Sequence, residues 1–310
     1  MEDMLKKELA TSVLKNTGRG GGGCVNQGVA YETDQGLVFV KMNSKSGARK
    51  MFDGEFASLV ALHTADEVRV PKPIKVLTNP EGGALLVMEY LDMRSLSSHS
   101  AALGQQLARL HQQNAGIGQR MLKEQQSVHR NSDLNYVDKF GFDVETCCGY
   151  LPQSNAWTDS WMQFYAQKIE EQIQMLESEY RDKGARELWS QILPSLSKLF
   201  DGLDIQPALL HGDLWGGNVG QLSDRPVIFD PCSFYGHAEF DLGICNMFGG
   251  FNSAFFNNYF KVLPKQPGYE TRLQLYLLFH NLNHWNHFGS TYRGSSMGIL
   301  KHLVKELKKS

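Results

Sequence analysis

Leu210-His211-Gly212-Asp213-Leu214-Trp215-Gly216-Gly217-Asn218, followed by Val227-Ile228-Phe229-Asp230, is the stretch that decides the fold. It places an acid, an amide and a second acid on two connected loops. Asp230 closes a β-branched and aromatic run that reads as a buried strand. Gly, Asp and Asn also make ordinary turns, so the grouping gains weight only from the parts around it.

The chain has 310 residues and 42% hydrophobic content, enough for one large or two-lobed domain. Its net charge is -2, without the basic excess of a nucleic-acid binder. No apolar run reaches the ~18 residues of a membrane span. Met1-Glu2-Asp3-Met4-Leu5-Lys6-Lys7 lacks a signal-peptide core. Cysteine is odd in number and forms no CxxC pair, so neither a disulfide framework nor a zinc site is indicated. These features predict a soluble, cytoplasmic protein with neither nucleic acid nor membrane as partner.

Upstream, Met4 to Leu14 reads as a short helix or cap. Gly18-Arg19-Gly20-Gly21-Gly22-Gly23-Cys24 reads as a loop whose backbone N–H groups can approach phosphate oxygens. Val29–Thr33 and Leu37–Lys41 read as strands joined by a turn at Asp34-Gln35-Gly36. Lys41 closes the second strand. Glu55 sits beside the apolar stripe of a helix over Ala48 to Ala61. Two more strands end at Glu89-Tyr90-Leu91. From Ser97 the chain becomes mostly helical, and His111 reads as a packed structural histidine. Residues 115–156 read as an irregular insertion with short helices. Trp161, Tyr165, Ile169, Ile173 and Leu176 mark a long amphipathic helix. A second helix carries Trp189 and Ile192 and is interrupted at Pro194. Glu239 and Asp241 are placed to cap a helix or steady the acidic loop. His280 and His284 have zinc-pair spacing, but their surroundings offer no evident third ligand.

The ordered set of glycine loop, Lys41, Glu55, extended hinge, Asp213, Asn218 and Asp230 resembles the protein-kinase-like fold. That is an α+β architecture with a small antiparallel-sheet lobe, placed at residues 1–91, and a larger mostly helical lobe at 92–310. The Asp213–Asn218 spacing is that of the kinase catalytic loop. The resemblance makes Asp213 the base that takes a substrate hydroxyl proton. It makes Asn218 and Asp230 the Mg2+ ligands, and Lys41, positioned by Glu55, a contact for ATP phosphates. Gly22, Gly23 and Cys24 would line the phosphates, and the backbone of Glu89, Tyr90 and Leu91 would meet adenine. Gly212 replaces the Arg of protein kinases, and Pro231-Cys232 replaces their Phe-Gly. Both changes point away from activation-loop control and toward kinases of small-molecule hydroxyls.

The finer resemblance is to the fructosamine 3-kinase and ketosamine 3-kinase family, over nearly the whole chain. It is carried by Gly22-Gly23-Cys24, Arg49-Lys50-Met51-Phe52-Asp53-Gly54-Glu55, Val70-Pro71-Lys72-Pro73, the 210–218 stretch, Phe248-Gly249-Gly250-Phe251 and Asn283-His284-Trp285-Asn286-His287-Phe288-Gly289. Ser290–Ser296 looks closer to the ketosamine (protein-ribulosamine) branch. Cys232 and Asp241 stand where Ala and Glu are more usual. The resemblance implies ATP-dependent phosphorylation of the sugar O3 of ribulosamines, psicosamines or fructosamines on protein lysines. Phosphate at C3 is then a leaving group, the adduct collapses, and the lysine is repaired. Implied partners are glycated proteins and small ketosamines, with Trp215, His284 and Trp285 as a sugar platform. The chain would be a monomer or a homodimer linked through a redox-active Cys24. The rival readings are an aminoglycoside- or choline-type kinase and a catalytically dead nucleotide-binding module.

Overall fold

The computed structural model describes residues 1–22, 26–125 and 135–309. Helix α1 (Glu2–Glu8) precedes three antiparallel strands, β1 (Lys15–Gly22), β2 (Gln27–Thr33) and β3 (Gly36–Asn43). Helix α2 (Ala48–Ala65) follows, then β4 (Pro73–Thr78) and β5 (Ala84–Glu89). The strands form one sheet in the order β1-β2-β3-β5-β4.

Strand alternation sorts this sheet into two faces. Val40, Leu85 and Val87 pack outward with Leu5 of α1. Ala84, Leu86 and Met88 pack inward with Met51, Phe52, Leu59 and Leu62 of α2. Lys41 follows Val40 and therefore lies on the α2 side. Helix α1 caps the outer face, but it ends well before the Leu14 limit read from sequence.

Two expectations are corrected. The glycine stretch is largely strand, with Gly20 opposite Val29, Gly21 opposite Gly28 and Gly22 opposite Gln27. A bulge between Asn16 and Gly20, with Gly18 at φ +69, bends it. Glycine has no side chain to show a strand period, so pairing was invisible in the sequence. Gly23 and Cys24 lie outside the described residues. Second, the 115–156 region begins as the end of a long helix, α3 (Ser100–Gln125). It later forms a hairpin of β7 (Thr146–Cys148) and β8 (Leu151–Gln153), after the short β6 (Arg94–Ser95). Gly116 and Gly118 suggested a broken helix, but at Gly118 a Cβ would press on the Tyr136 ring at 2.7 Å. Close packing thus explains a residue that costs about 1 kcal/mol in a helix interior.

The larger lobe contains α4 (Trp161–Tyr180) and α5 (Gly184–Ile192), which continues as a 3-10 turn across Pro194. Strands β9 (Ala208–Leu209), β10 (Val219–Gln221), β11 (Pro226–Ile228) and β12 (Tyr235–Gly236) frame the acidic stretch. Helices α6 (Glu239–Leu242), α7 (Ser253–Val262), α8 (Tyr269–Phe288) and α9 (Arg293–Leu307) complete it. All five apolar residues of the α4 stripe are buried, alongside Trp189, Ile192, Trp285 and Leu300.

The core under α2 does not stop at the lobe boundary. It continues into Leu103 and Leu107 of α3 and into Leu214, Val219 and Ile228 beside the acidic loop. Gly54 of α2 lies so close to the β7 approach that a Cβ would sit 2.6 Å from the Glu145 carbonyl oxygen. The Ser58 hydroxyl accepts the Ser233 amide hydrogen at 2.9 Å, and Lys50 pairs with Glu145. Helix α2 is therefore held from both lobes.

Candidate active site

The acidic loop is fixed by its backbone before any ligand is considered. Leu210 N–H donates to the Phe234 carbonyl at 3.1 Å, and Cys232 N–H to the His211 carbonyl at 2.9 Å. Gly212 lies at φ +88, and a Cβ there would overlap the Cys232 carbonyl. This crossing explains why glycine stands where a protein kinase has arginine. Buried Asp241 accepts the amide hydrogens of His211 and Gly212, both at 2.8 Å. His111 bridges Asp241 to the Tyr259 hydroxyl, as a structural histidine. Glu239 instead pairs with buried Arg272, at 2.7 and 2.8 Å.

His211 sets the direction of the loop. Its Nδ1 accepts the Asp213 amide hydrogen at 3.2 Å, so Nε2 carries the proton and donates to the Phe229 carbonyl at 2.9 Å. Burial pushes its pKa down, which keeps the ring neutral. Asn218 Nδ2 donates to the Asp213 carbonyl at 2.9 Å and to Asp213 Oδ2 at 3.2 Å. That orientation turns the amide oxygen of Asn218 away from Asp213. The β10–β11 pairing, Val219 with Ile228, and the Phe229 amide on the Asn218 carbonyl return the chain to the same place. Asp230 emerges there at φ +56, a left-handed conformation uncommon outside glycine and tolerated by Asp.

Lys41 reaches this point from the sheet. Its Nζ lies 2.8 Å from both Glu55 oxygens and 3.0 Å from Asp230 Oδ1. Lys41 and Glu55 are buried, whereas the Asp230 side chain is 44% exposed. Burial opposes the lysine charge, but Asp230 and Glu55 outweigh it and raise its pKa. One cation thus faces two carboxylates, with Asp213 adding a third acid nearby. Burial, then Asp230, pushes Asp213 up to about 7 against the Asn218 hydrogen bond. An acid crowded by another acid, together with hard oxygen donors from Asn218 and Asp230, fits a Mg2+ site. The surrounding cleft, about 860 Å³, fits a nucleotide and a small acceptor.

Gly18 to Gly21, Lys41, Glu55, Glu89, Tyr90, Leu91, Asp213, Asn218 and Asp230 all line this cleft. Gly22 closes β1 opposite Gln27. The Glu89 carboxylate is held by Arg69 and by the Lys72 amide, and the Glu89 and Tyr90 amides donate to the Lys72 and Leu37 carbonyls. The 66–72 connection in turn pairs with β11, where Ile228 N–H donates to the Arg69 carbonyl at 3.0 Å.

The other end of the cleft is aromatic. Trp215 packs edge-on to Phe248 at 5.4 Å, Phe248 lies 5.2 Å from His284, and His284 lies 5.6 Å from Phe288. His287 adds an ordered ring: Nδ1 donates to the Asn283 carbonyl, and Nε2 accepts the Tyr150 amide hydrogen. Trp215 and His284 line the cleft, but Trp285 does not. It is 1% exposed and packed in the α4–α8–α9 core, so its expected place on a sugar platform is corrected. Adjacent residues on a helix point about 100° apart, which separates Trp285 from His284. On the same helix His284 Nδ1 donates to the His280 carbonyl at 2.7 Å, and the cluster of possible metal ligands among the described residues takes His280 without His284. Phe248, His287 and Phe288 received no role from sequence. Their signal was present in the two aromatic strings that frame the loop and α8.

The model of the family described as Fructosamine kinase matches residues 2–306. The chain is 57% identical over 309 residues to the Ketosamine-3-kinase of Mus musculus, covering 98% of this chain and 100% of that one. It is 38% identical over 309 residues to the chloroplastic Protein-ribulosamine 3-kinase of Arabidopsis thaliana, covering 99% and 88%. A fructosamine-3-kinase candidate from Thermobifida fusca shares its fold at TM-score 0.77, with 24% identity over 98% of each chain. The ADP-bound aminoglycoside phosphotransferase APH(2'')-Ib does so at TM-score 0.57, with 13% identity over 98% and 95%. The kinase-like lobes, the paired Lys41 and Glu55 and the full-length sequence match have one explanation: the chain belongs to the fructosamine kinase family.

Proposed function

We propose that this protein is a ketosamine 3-kinase that transfers the γ-phosphoryl group of ATP to the O3 hydroxyl of a sugar adduct on lysine. The convergence of Asp213, Asn218 and Asp230 with Lys41 in a cleft that also carries Trp215, His284 and Phe288 supports this reading. Mg2+, when bound, offsets the charge that develops on the transferring phosphoryl group. Asn218 and Asp230 would hold it, and Lys41, braced by Glu55, would hold the nucleotide phosphates. Asp213, fixed by His211 and Asn218, would accept the hydroxyl proton. A base pushed up to about 7 matches a proton transfer near neutral pH.

Trp215, His284 and Phe288, which line the cleft, favour a sugar ring over a polycation. An aminoglycoside would call for acids at this end, whereas Glu55, Glu89, Asp92 and Asp230 line the nucleotide and hinge side. Release of the phosphorylated sugar from lysine in the cytoplasm, and hence protein repair, belongs to the same proposal. The test is Mg-ATP turnover with a ribulose–lysine adduct, choline and an aminoglycoside as acceptors. Mass spectrometry should show one added phosphate on the ketosamine, followed by free lysine. Turnover of choline or the aminoglycoside, with none of any ketosamine, would overturn the reading.

A further inference from the structure

We propose that Cys148, His280 and Asp213 form a binding site for a zinc-class divalent cation, and that its occupation takes the Asp213 carboxylate out of use. The site itself stands apart from the function proposed above. Only the inhibitory consequence rests on that reading of Asp213.

One ligand atom from each of these three residues lies within 4.8 Å of the other two. They come from β7, the acidic loop and α8, so the fold brings them together from distant parts of the chain. The independent observation is His280. It is fully buried, and neither ring nitrogen has a hydrogen-bond partner. The ring is wedged between Phe240 and Phe279, with centroids 5.3 and 5.2 Å away. A buried polar atom without a partner is destabilising, and a metal bond would satisfy one of the two ring nitrogens. Burial keeps the imidazole neutral, with a lone pair available.

The donor set selects the ion. A thiolate, an imidazole and a carboxylate suit Zn2+, whereas Mg2+ prefers oxygen alone. Tetrahedral zinc separates its ligand atoms by roughly 3.5 Å, so small side-chain rotations close the site. Cys148 and Asp213 line the cleft, which gives the ion its entry and leaves a fourth position for water. On binding, the Cys148 S–H bond is replaced by a sulfur–metal bond, and its proton leaves to solvent. No electron changes hands. Zinc would then compete with the acceptor sugar for Asp213, while Mg-ATP stays on Asn218 and Asp230.

The test titrates the full-length, reduced, chelator-stripped protein with Co2+ and then Zn2+. The expected result is a one-to-one thiolate-to-cobalt charge-transfer band that zinc displaces. Cys148→Ser should abolish the band, and His280→Gln should weaken binding by about tenfold or more. Calorimetry on the unaltered protein at about pH 8, in two buffers of different ionisation enthalpy, should show about one proton released per ion, which needs no variant to fold. A one-to-one band that persists in Cys148→Ser, unchanged affinity in folded His280→Gln, or binding without proton release would overturn the site.

Discussion

Asp241 grips Gly212: its Oδ1 accepts the glycine amide hydrogen at 2.8 Å, one residue before the acid at the centre of the cleft. Its Oδ2 takes the His211 amide hydrogen and the His111 ring in the same buried place. An amide in this position offers one acceptor where the carboxylate offers two. Asp241→Asn should lower stability by about 1–3 kcal/mol. It should lower kcat more than it raises the KM for ATP. Urea unfolding and steady-state kinetics measure the two effects, and normal kcat in a destabilised variant would separate Asp241 from loop geometry.

Asp213→Asn keeps the shape of the loop and removes the proposed proton acceptor. Turnover should fall by about 10²–10⁴ while Mg-ATP binding persists. Single-turnover kinetics with calorimetric nucleotide binding would distinguish a lost base from a lost site.

Lys41 and Glu55 should act as a unit, because Glu55 holds the buried lysine with both oxygens at 2.8 Å, whereas Asp230, its other partner, is 44% exposed. Lys41→Met should be nearly inactive, and Glu55→Gln should be impaired through a misplaced lysine. The double variant should be little worse than Lys41→Met alone. A double-mutant cycle on kcat/KM gives the coupling, and simple additivity would show that the two residues act independently.

Trp215 and Trp285 make opposite predictions. Trp215→Ala opens the cleft wall and should raise the ketosamine KM about tenfold, close to 1.4 kcal/mol, with little change for ATP. Trp285→Ala empties a core position and should cost about 3–5 kcal/mol of stability. The folded fraction of that variant should keep its ketosamine KM. Thermal melts and acceptor titrations would show whether the two tryptophans divide in this way.

His237 supplies the pH test. Burial, then Arg272 and His111, push it down to about 3, and its Nδ1 lies 2.6 Å from the Tyr276 hydroxyl. The unfolded chain takes up this proton from about pH 6.5 downward, but the folded chain does so only near 3. The stability tied to neutral His237 is present above pH 6.5 and is lost as pH falls through that window. His237→Gln should flatten this part of the profile relative to the unaltered protein. Parallel slopes for the two between pH 6.5 and 4 would remove the assignment.

The sequence was most informative where period or side-chain chemistry marks the local structure. The α4 stripe, the Lys41 strand and the Glu55 helix are present, although β3 runs on to Asn43 past Lys41 and α2 on to Ala65 past Ala61. Glycine hid strand β1, because backbone pairing leaves no mark on a residue without a side chain. The β7–β8 hairpin was equally hidden: its two strands are three residues each, too short to show alternation. Trp285 was misjudged because neighbouring helix residues share a sequence motif while facing different surroundings. His280 shows the converse. Its full burial and unpaired ring nitrogens come only from the packing of α8 against Phe240, which no local pattern records.

Helix α2 carries one more consequence. In kinases that swing this helix, the ion pair to the strand lysine is made and broken as a signal. Here the helix is seated on the Glu145 backbone, tied to Ser233 and sunk in a core shared with both lobes. Moving it would expose Phe52 and Leu59 together, so the assembled pair is the resting condition of the molecule. Activity then depends on what reaches the cleft rather than on where this helix stands.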